Sequence, residues 1–210
     1  MRKILGIVVL FLLMSTSAYT DDIKDFHIEN ISIGDSALDY FTEDQIENSE
    51  LDWFNYSHKE YSTSLVAGKG IYDWFLISYK SDDDNFIIEG LAGILVKKKY
   101  DDYKCNKELD TVALDISELF KNTKQGKKQL YKVIYNPRKI FQKPDPSGKS
   151  IVTSISFDFK DGGKIILSCY NMDKEANKNS NFMMSILNKK DSFRIEVRSH
   201  IFVNYLKKGK

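Results

Sequence analysis

Apolar residues along this chain first run without interruption and then fall into alternation. Ile4 to Met14 is an unbroken apolar stretch, preceded by Arg2 and Lys3 and followed by Ser15-Thr16-Ser17-Ala18. Basic, then apolar, then small residues is the order of a cleavable signal peptide, here over 1–18. A membrane-spanning helix needs about 20 apolar residues, so the run is too short to serve as an anchor. No cysteine stands near the cleavage region to accept a lipid. The mature chain, 19–210, is therefore expected to be free, with no membrane insertion after cleavage, and to form a single domain.

Beyond the leader the dominant period is two. Phe26, Ile28, Ile31 and Ile33 alternate with polar residues, with a slip of phase near Asn30, and predict a half-buried strand ended by Gly34-Asp35. Asp35 or Ser36 is placed to N-cap a short helix reaching Phe41, and Thr42 with Gln45 has capping-box spacing for another over 42–48. Three strand-like runs follow: Tyr61 to Ala67, Tyr72 to Lys80 and Phe86 to Val96. The last two flank the turn Ser81-Asp82-Asp83-Asp84-Asn85 and are expected to pair antiparallel. Gly90 and Gly93 inside the third run predict a bulge or close packing.

The period then changes. Leu109, Val112, Ile116, Leu119 and Phe120 recur at helical spacing after Cys105, with Lys121, Lys124, Lys127 and Lys128 gathered towards and beyond the C-terminus, where cations suit the dipole. Leu130 to Tyr135 reads as a strand, and Pro137, Pro144 and Pro146 mark an irregular linker. Ile151, Thr153, Ile155, Phe157 and Phe159 share one face of a strand that turns at Lys160-Asp161-Gly162-Gly163 and returns as Lys164 to Tyr170. Phe193 to Arg198 is a final strand, with Ile201, Phe202 and Leu206 lining a closing helix. The order predicts an α+β fold: antiparallel sheet with short helices packed on one side, and a weak helix-plus-hairpin pseudo-repeat with sub-lobes 26–98 and 105–210.

Charge and cysteine count narrow the function classes. Without residues 1–18, 29 basic residues face 30 acidic ones, a balance that implies no nucleic acid and no acidic membrane surface as partner. Cys105 and Cys169 are an even pair. In a reducing compartment they would be buried thiols or half a metal site; in an exported chain they are most simply one disulfide.

Candidate chemistry is sparse. Gly34-Asp35-Ser36-Ala37-Leu38 after an apolar strand resembles the nucleophile block of the GDSL-type esterases, which implies Ser36 as nucleophile. That family pairs its serine with an Asp-x-x-His block; here Val197 stands three residues before His200, and no Gly-x-Asn-Asp block supplies an oxyanion hole. A helix N-cap accounts for the same serine. His27, His58 and His200 lack metal-ligand spacing, and Asp82-Asp83-Asp84 lacks the spaced oxygens of a calcium loop, so no metal and no cofactor is expected. Trp53 and Tyr56, with Phe54, interrupt a polar stretch near Trp74 and are the candidate ligand-binding residues if exposed, or core if not.

Taken together, Phe26-x-Ile28-x-x-Ile31-Ser32-Ile33-Gly34-Asp35-Ser36-x-Leu38-Asp39-Tyr40-Phe41 resembles the opening of a group of uncharacterised short exported bacterial proteins. Ile88-Glu89-Gly90-Leu91-Ala92-Gly93 and the positions of Cys105 and Cys169 are similar to that group as well. In layout the chain also resembles small outer-membrane assembly and β-lactamase-inhibitor-like folds, and layout alone transfers no function. The expectation is an exported, non-enzymatic binding or interaction protein of the periplasm or extracellular space, with a protein or small ligand of the envelope as its partner. The alternative is a serine hydrolase centred on Ser36.

Overall fold

The computed structural model describes residues 22–51, 60–96, 102–132, 149–173 and 191–208. Residues 1–18, where a signal peptide is expected, Trp53 and Tyr56, the proline-bearing residues 137–146 and the polar stretch 174–181 lie outside the described residues. Among those described, no helix is long and apolar enough to cross a membrane.

The opening segment is not the strand its alternation predicts. A 3-10 turn at Ile23–Asp25 leads into a two-residue hairpin in which Ile28 and Ile31 exchange backbone hydrogen bonds of 2.9 and 3.1 Å. Glu29 and Asn30 at its tip have φ of 52° and 70°. Two successive left-handed residues are what a tight primed turn requires, and they reverse the chain where the alternation slips phase. The Glu29 carboxylate holds the tip in place by accepting from the backbone N–H groups of Ile71 and Tyr72. Phe26, Ile28, Ile31 and Ile33 are still buried, so the apolar pattern is correct and its backbone shape is not.

Among the described residues eight strands form one antiparallel sheet: β1 Tyr61–Ala67, β2 Trp74–Lys80, β3 Gly90–Val96, β4 Lys124–Gln125, β5 Gln129–Lys132, β6 Ile151–Asp158, β7 Lys164–Asn171 and β8 Ser192–Arg198. The order is β1-β2-β3-β8-β7-β6-β4, with β5 also on β6. Two meanders, β1-β2-β3 and β6-β7-β8, therefore meet through their last strands, and the stretches 26–98 and 105–210 share one sheet. The expected pairing around the Asp-rich turn is present, with Ser78 opposite Gly90. β3 begins four residues later than predicted because Phe86, at φ 49°, and the residues after it bond instead to the opening segment: Gly34 N–H to Ile88 O at 2.8 Å and Ile88 N–H to Asp35 O at 2.9 Å.

Register divides the sheet into two faces. The inner face carries Val66, Phe75, Ile77, Leu91, Phe193, Ile195, Val197, Ile165, Leu167, Cys169, Ile155 and Phe157, which join the opening segment in the main core. Helix α2, Asp102–Leu119, covers this face with Leu109, Ala113 and Ile116 at helical spacing, and Phe120 follows just past its end. Helix α1, Glu43–Glu47, has the predicted capping box between Thr42 and Gln45 and inserts Ile46 into the same core. Helix α3, His200–Lys208, does not join them. Its Phe202 packs with Tyr61, and a Cβ on Gly90 would stand 2.8 Å from the Phe202 ring. Gly90 pairs with Ser78, and Ser78 with Thr63, on the outer face. The expectation of short helices on one side is thus corrected: α2 spans 18 residues, and α3 sits on the opposite face, where the missing side chain of Gly90 admits Phe202. The fold is dominated by its sheet.

Gly93 serves the inner face as Gly90 serves the outer. A Cβ there would meet Tyr72 at 2.7 Å and Ile28 at 2.9 Å, so both glycines mark close packing and not a bulge. Cys105, within α2 and not before it, bonds Cys169 on β7 with S–S 2.07 Å and Cα–Cα 5.9 Å.

Burial also sets an alkaline limit on the fold. The Tyr61 phenol is pushed up from 10.0 to about 12 by burial and then by Glu89. Tyr40 rises to about 12 through burial and its hydrogen bond to Asp35, and burial raises Tyr72 and Tyr79. Native phenols then hold protons that the unfolded chain releases above its ordinary pKa, so stability should be flat below about pH 10 and fall from there towards pH 12. Urea titrations at several alkaline pH values, with phenolate absorbance followed in parallel, check this; stability that does not fall over that range contradicts it.

Candidate functional site

The outer face of the sheet is the candidate surface, and its chemistry follows from the period of two. On β6, β7 and β8 most inward residues are buried and the outward positions are mainly polar: Ser154, Ser156, Asp158, Lys164, Tyr170, Arg194, Glu196 and Arg198 are half-buried, Ser168 and Ser192 are buried, and Val152 and Ile166 are the apolar ones. Register aligns them in rows. Ser154, Ser168, Arg194, Ile94 and Trp74 form one; Asp158, Lys164, Arg198, Gly90 and Ser78 another. Strands about 4.8 Å apart, with same-face residues about 6.8 Å apart along each strand, hold these groups on a fixed grid.

Arg194 is the central polar group. Its guanidinium lies 3.7 Å from the centroid of the Tyr170 ring, a cation–π geometry, and its Nε donates to Ser192 Oγ at 3.1 Å. Burial pulls the guanidinium below its ordinary pKa, opposed by Tyr170 and Glu196. Neighbouring charges pair, Arg198 with Glu196 at 2.5 Å and Lys164 with Asp158 at 2.8 Å.

Across the β3–β8 seam the same face turns apolar. Leu51, Leu65 and Ile94 are buried in a small cluster, with Trp74, Leu76 and Val96 half-buried around them. Of the three aromatic candidates the structure therefore places Trp74, which packs against this cluster; Trp53 and Tyr56 are outside the described residues. A face with a cationic, hydroxyl-bearing half and an apolar half can seat a ligand or protein surface of matching polarity.

The other candidates have structural roles. Ser36 Oγ donates to Asn85 O at 2.6 Å and accepts from Leu38 N–H at 3.2 Å, the N-cap of a 3-10 turn at Ala37–Asp39. Asp35 accepts from Ser32 N–H at 2.8 Å and from Tyr40 OH at 2.7 Å. The Gly-Asp-Ser tract is thus a joint that ties the opening segment to the Asp-rich turn. Ser36→Ala should lower stability by about 1 kcal/mol, the usual cost of a lost cap; an unchanged urea midpoint would contradict that role.

Asp83 shapes the turn, accepting from Asn85 N–H and Ile87 N–H, both at 3.0 Å. Its oxygens are aimed at backbone donors and not at a cation site. His27 Nδ1 lies 3.0 Å from Asp25 O, and His200 opens α3. Among the described residues no three metal-ligating side chains converge.

Sequence reasoning missed the Arg194–Tyr170 pair and the role of the edge lysines. The outward alternation Ser192, Arg194, Glu196, Arg198 was the available signal for a polar face. Lys124 and Lys127, read as serving the α2 dipole, stand instead on β4 and just after it, because the chain turns back into the sheet at once.

Compared with known protein families, curated proteins and solved structures, the chain matches none.

Proposed function

We propose that this is an exported, disulfide-stapled binding or interaction protein of the bacterial envelope, without a catalytic centre of its own. The observation that carries this reading is the two-toned outer face, where a rigid grid of hydroxyl, guanidinium and aromatic groups adjoins the Trp74 cluster. The Cys105–Cys169 bond fits a compartment where thiols oxidise. The signal pattern over 1–18 points the same way. Trp53 and Tyr56, close to Trp74 in sequence, belong to the same proposed site.

The α+β description, the weak helix-plus-hairpin pseudo-repeat and membership of the group of short exported bacterial proteins are parts of the same proposal. Support for the repeat comes from the order helix then meander on both sides of the β3–β8 seam.

Affinity capture from a native envelope fraction, with the oxidised protein as bait, tests the function. A specific partner should be retained by the native chain and lost by Arg194→Gln or Trp74→Leu. Labelling of Ser36 by a fluorophosphonate probe, absent in Ser36→Ala, would sink the reading.

A further inference from the structure

The sheet's edge at β4 and β5 is built unlike the rest of the molecule. Both strands pair with β6, one after the other: Gln125 opposes Phe157 and Gln129 opposes Ser154. Four steps of one chain therefore lie against three of the other, a bulge at 126–128. Gly126 N–H donates to Ser156 O at 2.7 Å, and a Cβ at 126 would stand 2.9 Å from Ser156 Oγ. The bulge thus brings residue 126 against the Ser156 hydroxyl, which would have to turn aside for a larger residue.

Beyond this edge no further strand pairs among the described residues. Lys124, Gln125, Lys127, Gln129, Leu130 and Tyr131 are exposed. Lysine and a bulge are ordinary means of blunting an edge against aggregation. Leu130 and Tyr131 do not fit that purpose. They are 66% and 47% exposed on opposite faces of a solvent-lying strand. Beside the bulge a groove of about 290 Å³ opens, lined by Lys127, Gln129, Tyr131, Ser154, Ser156 and Lys164. Its lining is rich in hydrogen-bond donors: ammonium, hydroxyl and amide groups. Lys128 is paired with Asp110 at 2.8 Å, while Lys124 and Lys127 form no ion pair among the described residues.

Resting on the binding role proposed above, we infer that the β4–β5 edge is a strand-addition site for an extended acidic segment of a partner protein, one of whose carboxylates seats in the groove at the bulge. Backbone hydrogen bonds along an open edge give affinity, and pockets for alternate side chains give specificity. Charge complementarity chooses the occupant. Lys124 and Lys127, exposed and without an ion pair among the described residues, steer a carboxylate-bearing strand to the edge. A second copy would set lysine against lysine.

The oxidised, isotope-labelled full chain is titrated with an eight-residue peptide alternating glutamate with valine, and with its lysine-for-glutamate counterpart. Amide shifts should centre on 124–132 and 154–156. The glutamate peptide should bind on the order of tenfold tighter at low salt, an advantage that salt screens. Lys124→Gln with Lys127→Gln should erase most of that preference with the melting temperature little changed, since both side chains are exposed and neutral replacements set no like charge against Asp158 across the strands. Leu130→Asp should weaken binding as well. Equal binding of both peptides, shifts centred on Arg194, or sedimentation showing a dimer through β5 overturns the inference. Envelope capture separates the two readings. A partner kept equally by the native chain and the double lysine variant overturns the edge site and leaves the binding role standing. No partner for the native chain overturns both.

Discussion

Loss of the Cys105–Cys169 bond should lower stability by about 4 kcal/mol, the chain-entropy value for a loop of this length. The two cysteines are 64 positions apart, and between them lie most of α2, the β4–β5 edge and all of β6. Without the bond, the unfolded chain regains the freedom of that whole loop. At about 2–4 °C per kcal/mol for a chain of this size, the melting temperature should fall by roughly 8–16 °C in Cys105→Ala with Cys169→Ala. The denaturant slope should also rise, because an unstapled unfolded state exposes more surface. Urea unfolding of the oxidised and double-alanine proteins reads both quantities. A change below about 1 kcal/mol would mean that the bond closes a contact the core already enforces.

Phe157→Ala should be comparably severe, at about 3–5 kcal/mol. Phe157 is fully buried on the inner face of β6, opposite Ile165 of β7, and Gln125 of β4 pairs with it on the other side. Removing the ring leaves a cavity that strands on both sides cannot collapse to fill, since their backbones are fixed by the sheet's hydrogen bonds. The usual stability of a domain is about 5–15 kcal/mol, so this one change should remove a large share of it. Alanine in place of Ser156, one residue away but pointing outward, offers the contrast: Ser156→Ala should cost under about 1 kcal/mol, as surface positions do. Similar losses at 157 and 156 would contradict the two-faced register.

The contrast between those neighbours was legible before any coordinates. Ile155, Phe157 and Phe159 alternate with Ser154, Ser156 and Asp158, and a strand must then bury one set and show the other. The Thr42–Gln45 box, the helix through Leu109, Ala113 and Ile116, the Asp-rich turn and the cysteine pair were equally plain, because each is decided by residues close in sequence or by compartment chemistry. The opening hairpin was not. Its apolar residues are spaced for a strand, and only the long-range grip of Glu29 on the 71–72 backbone reveals the reversal at Glu29-Asn30.

By itself, then, the sequence determined which residues are apolar and inward, where the turns fall, and that two cysteines are available to pair. The tertiary structure decided what lies beside what: β3 against β8, α3 against the face opposite α2, and lysines on an edge and not at a helix end. The physical reason is range. Alternation and capping act within a few residues, whereas strand order and facing helices depend on contacts between segments far apart in the chain, such as the bond between Ser199 and Glu89, 110 positions apart, and the packing of Phe202 on Tyr61.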